Sequence, residues 1–132
     1  MPHDSKKIGI PHDWLRRAKS NLAHARQPKP EEVLWEDLCF DAQQAAEKSL
    51  KAVLISRGIA FRFVHDITEL LTLLENQGVF LQEEIRAAAE LTDYAVENRY
   101  PGPFEPVTEE EFNRALRIAE AVVVWAESQI EN

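Results

Sequence analysis

The strongest constraint on the fold is a long helical pattern that runs from Glu31 to Gly58. At 100° per residue, its apolar side chains cover an arc of roughly 160–200°. They are Leu34, Leu38, Cys39, Ala42, Ala45, Ala46, Leu50, Ala52 and Val53. An ordinary surface helix has an apolar stripe of about 100°, so this pattern predicts a central helix that contacts neighbours on more than one side. Gly58 is expected to end the helix in the left-handed conformation, which glycine adopts without strain.

Four further helical patterns surround this one, at about residues 11–26, 66–78, 81–97 and 108–130. Pro11 fits the first turn of the earliest helix, where a missing backbone N–H does no harm. Asp66 and Thr108 are each followed three residues later by a glutamate, the spacing of a helix-capping box. The chain has only four glycines in 132 residues and few β-branched runs. We therefore predict an all-α fold: a five-helix antiparallel up-and-down bundle over residues 11–132, after a flexible N-terminal arm at 1–10.

Composition excludes several classes of function. The formal net charge of −8 argues against binding to duplex DNA, which depends on neutralising phosphates, so any nucleic-acid site must be a local basic pocket. Cys39 is the single cysteine and lies on the apolar arc, which favours a buried hydrophobic role. The longest apolar run has six residues, far fewer than the roughly 20 of a membrane span. The histidines have no ligand spacing and no glycine-rich phosphate loop is present, so we expect no metal and no cofactor. The single cysteine and the short apolar runs favour a cytoplasmic location.

Three segments carry a family resemblance: the block Phe40–Ala52 (FDAQQAAEKSLKA), the motif VHDI at 64–67 and the motif NRYPG at 98–102. In this order and spacing they resemble the HEPN family, over nearly the whole chain. The resemblance implies a small HEPN-like helical bundle that pairs into a dimer. It also implies a partner, a minimal nucleotidyltransferase encoded alongside in a toxin–antitoxin-like arrangement. Several branches of the family are metal-independent RNases with an arginine, four to six residues and then a histidine at the dimer cleft.

His65 is the candidate base for such a nuclease, with Arg57 or Arg62 as the cation for the phosphate. A histidine can take the proton of a ribose 2′-hydroxyl, and a guanidinium can stabilise charge developing on the phosphate. Seven residues separate Arg57 from His65 and two separate Arg62 from it, so both spacings depart from the family's nuclease motif. The alternative is that His65 only orients the start of the helix beside Asp66.

Arg99, Tyr100 and Lys48 are candidates for binding nucleotide or RNA. The residue before a proline is held extended, which could present Arg99 and Tyr100 for base stacking and phosphate pairing. In the alternative interpretation, Tyr100 and Phe104 pack their loop onto the bundle. Lys48 lies off the main apolar arc, and a buried bond to an acidic neighbour is equally compatible with its position.

These observations favour a HEPN-like dimer that works with a minimal nucleotidyltransferase and contributes an RNA- or nucleotide-facing cleft. A metal-independent RNase toxin is one alternative, and a purely structural interaction module is another. Four apolar residues fall outside the predicted core faces and predict the assembly surface: Phe40, Ile55, Ile118 and Trp125.

Overall fold

A computed structural model describes residues 2–62, 65–95 and 106–130, with the backbone alone for residues 2–9. The elements are α1 (Pro2–Ala25), α2 (Trp35–Ser56), α3 (Ile67–Asn76), α4 (Glu83–Arg86), a 3₁₀ helix (Ala87–Tyr94) and α5 (Glu109–Ile130). The described ranges contain helices and connectors but no strand. The all-α bundle predicted from the sequence is confirmed.

Helix α2 is the centre of the bundle. It contacts α1 and α5 most extensively and also touches α3 and the 3₁₀ helix. Cys39, Ala42, Ala45, Ala46 and Leu50 on its apolar arc are all fully buried. The alanines bring neighbouring backbones close to α2 at no loss of helix propensity. The prediction of a helix contacted on several sides is thus confirmed.

Glycines end α2, as predicted, and also α3. Gly58 has φ +70° and Gly78 has φ +83°, both in the left-handed region. After α2, the Ile59 amide donates to the Leu54 carbonyl (2.9 Å) and the Gly58 amide donates to the Ile55 carbonyl (3.0 Å). This pair of bonds is a Schellman motif, which satisfies carbonyls that a helix end leaves without partners.

The start of α2 was predicted four residues too early. The Val33 amide donates to the Pro30 carbonyl (3.1 Å), which closes a separate turn. Lys29 Nζ then donates to the Val33 carbonyl (2.7 Å), so this oxygen is already satisfied outside the helix. Leu34 follows in an extended conformation and is 56% exposed. Its assignment to the apolar arc was therefore wrong.

The start of α1 was predicted too late, because the helix begins at Pro2 and Pro11 lies inside it. A proline keeps a helical φ and removes one backbone donor. Pro11 is buried here, so its ring packs in the bundle. Whether residues 1–10 behave as a flexible arm stays a prediction.

The fourth predicted helix, 81–97, divides into α4 and the 3₁₀ helix, which ends before an extended Ala95. Ile85, Ala88 and Leu91 are buried and stand three residues apart. A spacing of three matches the 3₁₀ repeat, in which residues i and i+3 eclipse. Thr92 is only partly buried, although its hydroxyl is enclosed.

One residue of the predicted assembly surface lies elsewhere, and the surface itself stays a prediction. Ile118 is only 8% exposed and belongs to the core, because it follows Ala115 by one turn on the buried face of α5. Phe40, Ile55 and Trp125 are partly buried. None of the described helices has the length and hydropathy needed to cross a bilayer.

Candidate functional site on α2

All five buried polar residues within 10–62, 65–95 and 106–130 lie on α2. They are Asp41, Gln43, Glu47, Ser49 and Lys51. Burying charged groups is unfavourable unless they are paired and hydrogen-bonded. Four of these five, all except Ser49, take part in side-chain hydrogen bonds. This concentration makes α2 the helix that carries the candidate site.

Glu47 is the centre of the first of two polar clusters. Lys51 Nζ donates to Glu47 Oε2 (2.8 Å), and Gln43 Nε2 donates to Glu47 Oε1 (2.8 Å). These residues are one helical turn apart and share one face of α2. His65 Nδ1, from the connector between α2 and α3, lies 3.0 and 3.1 Å from the two Glu47 oxygens. The Glu47 carboxylate therefore joins the connector to α2.

The electrostatics of Glu47 favour the charged carboxylate. Burial is the largest influence and raises the pKa of Glu47, but hydrogen bonds from Lys51 and Gln43, the Lys51 charge and the His65 contact together hold that pKa below its ordinary value. Lys51 is itself only 5% exposed. Its ammonium lies 5.6 Å from the centre of the Trp14 ring and 5.8 Å from that of Phe61, within the range of cation–π attraction.

His65 has two structural surroundings that suggest different roles. It stands directly before Asp66, whose carboxylate accepts the Glu69 amide (3.3 Å) and caps α3 as predicted. Its side chain is 48% exposed, while the Glu47 carboxylate against Nδ1 is buried. A carboxylate that orients an imidazole is also the arrangement that supports a general base. The geometry is thus compatible with both the helix-start role and a chemical one.

The two arginines proposed to accompany His65 have other partners. Arg62 forms a two-bond ion pair with Glu69 of α3, and this pairing raises the pKa of Arg62. Arg57 donates to the side-chain oxygen of Gln129 in α5. Both guanidinium groups are therefore engaged on α3 and α5, whereas His65 is held on α2. The catalytic assignment of His65, Arg57 and Arg62 stays a prediction.

The second polar cluster joins α1 to α2. His24 Nδ1 lies 2.6 Å from Asp41 Oδ2, and Asn21 Nδ2 donates to Asp41 Oδ1 (3.1 Å). Lys48 Nζ donates to Asn21 Oδ1 (2.7 Å), so its partner is an amide where an acidic neighbour was one expectation. Burial and then the charge of Arg17 are the largest influences that lower the pKa of Lys48.

Sequence reasoning missed His24 and Asn21 as members of the site. The signal that could have found them is their spacing from Arg17, since residues i, i+4 and i+7 share one face of a helix. Arg99 and Tyr100, the other predicted binding residues, lie outside the described residues.

A cleft of about 230 Å³ lies between the 3₁₀ helix and α5. Its polar side chains pair with one another: Arg114 donates to both Glu90 oxygens (2.9 and 2.7 Å), and the Tyr94 hydroxyl bonds Glu111. Typical small-molecule pockets are larger, at about 300–1,000 Å³. In the same described ranges, no three His, Cys, Asp or Glu side chains are grouped to hold a metal ion. The α2 clusters are therefore the better candidate site.

Comparison with known proteins places this arrangement in a family. The chain matches the model of the HEPN domain over residues 11–129. It is similar in structure to TT1696 from Thermus thermophilus, with a TM-score of 0.75 and 32% identity, over 90% of this chain and 97% of that chain. It is also similar to ST0689, described as an archaeal HEPN homologue, with a TM-score of 0.72 and 29% identity, over 91% and 97% of the two chains. A search of curated proteins finds no match. From the family model and these likenesses, the chain belongs to the HEPN domain family.

Proposed function

We propose that this HEPN-domain protein acts as a dimer alongside a minimal nucleotidyltransferase, in a toxin–antitoxin-like module, and contributes an RNA- or nucleotide-facing surface. The observation that carries the proposal is the buried network of Gln43, Glu47 and Lys51, which holds His65 and contacts Trp14 of α1. A network of this kind fixes three segments of the chain in one arrangement. It thereby prepares the surface of α1 and α2 for a ligand or partner.

A metal-independent RNase is the second candidate, and the contact between Glu47 and His65 favours it. That contact supplies an oriented imidazole, but the chemistry also requires a cation at the phosphate. Arg62 is engaged with Glu69, and Arg57 with Gln129. The binding role therefore agrees better with the geometry, and we expect the purified protein not to cleave RNA.

The test of the partnership is co-expression of this chain with the minimal nucleotidyltransferase encoded next to it. Gel filtration with light scattering should show one complex that contains both proteins. Absence of such a neighbouring gene, or separate elution of the two proteins, would contradict the proposal.

The test against the nuclease is incubation of the wild type and a His65→Ala variant with single-stranded RNA in the presence of a chelator. Neither protein should cleave it. Cleavage that leaves cyclic phosphate ends, and that disappears in His65→Ala, would establish the RNase instead. The melting temperature of the variant separates these roles, since loss of a contact at the start of α3 alters stability alone.

A further inference from the structure

The part of α1 that carries the second polar cluster differs in charge from the rest of the protein. The whole chain carries a formal charge of −8, yet residues 10–26 contain four Lys or Arg and one acidic residue. Lys19 and Arg26 have partners on α5, in Glu127 and Glu120. Arg16 and Arg17 share a single carboxylate, Asp13. The α1 side of the bundle therefore has positive charge that its own acidic residues do not balance.

We define the polar seam as Arg17, Asn21 and His24 of α1 together with Asp41 and Lys48 of α2. The α1 members occupy positions i, i+4 and i+7, so they form one row along the helix. Arg17 and His24 are about 10 Å apart along that row, at 1.5 Å per residue. Lys48 is bonded to Asn21 between them, at 2.7 Å. The seam thus presents three nitrogen groups in a line.

Two features make the seam a prepared site. Asp41 is 8% exposed, and the imidazole that it orients is 71% exposed at the side chain. With Nδ1 held by the buried carboxylate, the opposite edge of the His24 ring is directed away from Asp41. Burial and then the nearby charge of Arg17 lower the pKa of Lys48, so these two cations lie close enough to repel each other. An anion placed between these cations would relieve that repulsion.

We propose that the polar seam binds a run of adjacent phosphate groups, as found in single-stranded RNA or in a nucleoside triphosphate, through Arg17, Lys48 and His24. A row of three groups over about 10 Å suits several phosphates better than one, since phosphates along a nucleic-acid strand follow at about 3.4 Å of axial rise. The inference rests on the proposed function, because it names the chemistry of the RNA- or nucleotide-facing surface.

The experiment measures binding of the whole chain to a fluorescein-labelled single-stranded RNA decamer by anisotropy, with ATP as a competitor. Arg17→Gln, Lys48→Gln and His24→Gln should each weaken RNA binding by at least about threefold. For single strands, the slope of log affinity against log salt should be about −1.4 for the two cations Arg17 and Lys48, and about 0.7 shallower in Arg17→Gln. If ATP competes with the RNA, a nucleoside triphosphate is a sufficient ligand. If the RNA binds and ATP does not compete, the ligand of the seam is an RNA strand.

Arg16→Gln is the matched control. It changes the net charge by the same amount, and Arg16 pairs with the same Asp13 as Arg17 does. Lying one residue away, it points about 100° from the seam around α1. Its affinity and salt slope should stay within about twofold of the wild type, because site-specific contacts exceed long-range charge effects. The melting temperature of Arg17→Gln should match the wild type, since the Arg17 side chain is largely exposed.

Three results would overturn the inference. Equal losses in Arg16→Gln and Arg17→Gln would show non-specific attraction, and no binding of the labelled RNA decamer would exclude a site for adjacent phosphates. Binding that is lost in Arg99→Gln but kept in the seam variants would place the ligand elsewhere and leave the proposed function standing. Conversely, seam-dependent binding by a chain that forms no complex with the nucleotidyltransferase would support the inference and contradict the proposed partnership.

Discussion

Replacing Glu47 with glutamine should destabilise the bundle more than any other single change of one carboxylate. Glu47 is 2% exposed and Lys51 is 5% exposed, so the substitution leaves a buried ammonium without its counter-charge. Loss of one partner of a buried ion pair typically costs about 3–5 kcal/mol in the free energy of unfolding. For a domain of this size, that corresponds to a fall in melting temperature of about 10–20 °C. Circular dichroism melts and urea titrations measure both quantities.

Two comparisons make the Glu47 experiment decisive. Glu90→Gln breaks an ion pair with Arg114 whose side chains are 51% and 58% exposed, and it should change stability little because water already screens that pair. The double variant Glu47→Gln, Lys51→Met removes the buried charge along with its partner. It should therefore be more stable than Glu47→Gln alone. The reasoning is refuted if Glu47→Gln costs no more than Glu90→Gln, or if the double variant is simply additive.

Three further predictions concern pH, the end of α2 and the connector. Because the pKa of Glu47 is lowered in the folded state, its contribution should be complete above the unfolded pKa of about 4.3 and lost as the pH falls through the lower folded pKa. As the pH is lowered, the difference in free energy of unfolding between the wild type and Glu47→Gln should therefore become smaller. A difference that stays constant with pH would contradict this prediction. Gly58→Ala should lower the free energy of unfolding in urea by about 1 kcal/mol, because alanine is strained at a φ of +70°. No atom lies within 4 Å of the added Cβ, so the cost comes from the backbone conformation alone. An unchanged urea midpoint would show that this strain is absent. His65→Ala should lower the melting temperature, because it removes the contact between His65 and Glu47. It should cleave RNA no more than the wild type does. An unchanged melting temperature would mean that this contact adds nothing to stability.

Local signals made most of the fold predictable from the sequence. Gly58 and Gly78 end their helices through backbone conformation, and Asp66 and Thr108 cap theirs through bonds to amides three residues later. Each of these features depends on a few neighbouring residues. The 3₁₀ helix was missed because the spacing of three from Ile85 onward overlaps with an α-helical pattern over so short a segment.

The candidate site was less predictable because its contacts are distant in sequence. The block that contains Glu47 and Lys48 was recognisable, but the burial of its charged residues depends on how α1 and the connector pack against α2. His24 meets Asp41 across 17 residues, and His65 meets Glu47 across 18. No periodicity along one helix specifies which side chains of another helix will face it. Partner choice therefore required the tertiary structure.

Sedimentation velocity of the chain, alone and mixed with the neighbouring nucleotidyltransferase, tests the central claim most directly. The account predicts that the chain alone sediments with twice its 15.1 kDa mass at tens of micromolar, and that the mixture forms a larger species containing both proteins. Sedimentation at 15.1 kDa in both samples would contradict the proposed dimer and its partnership.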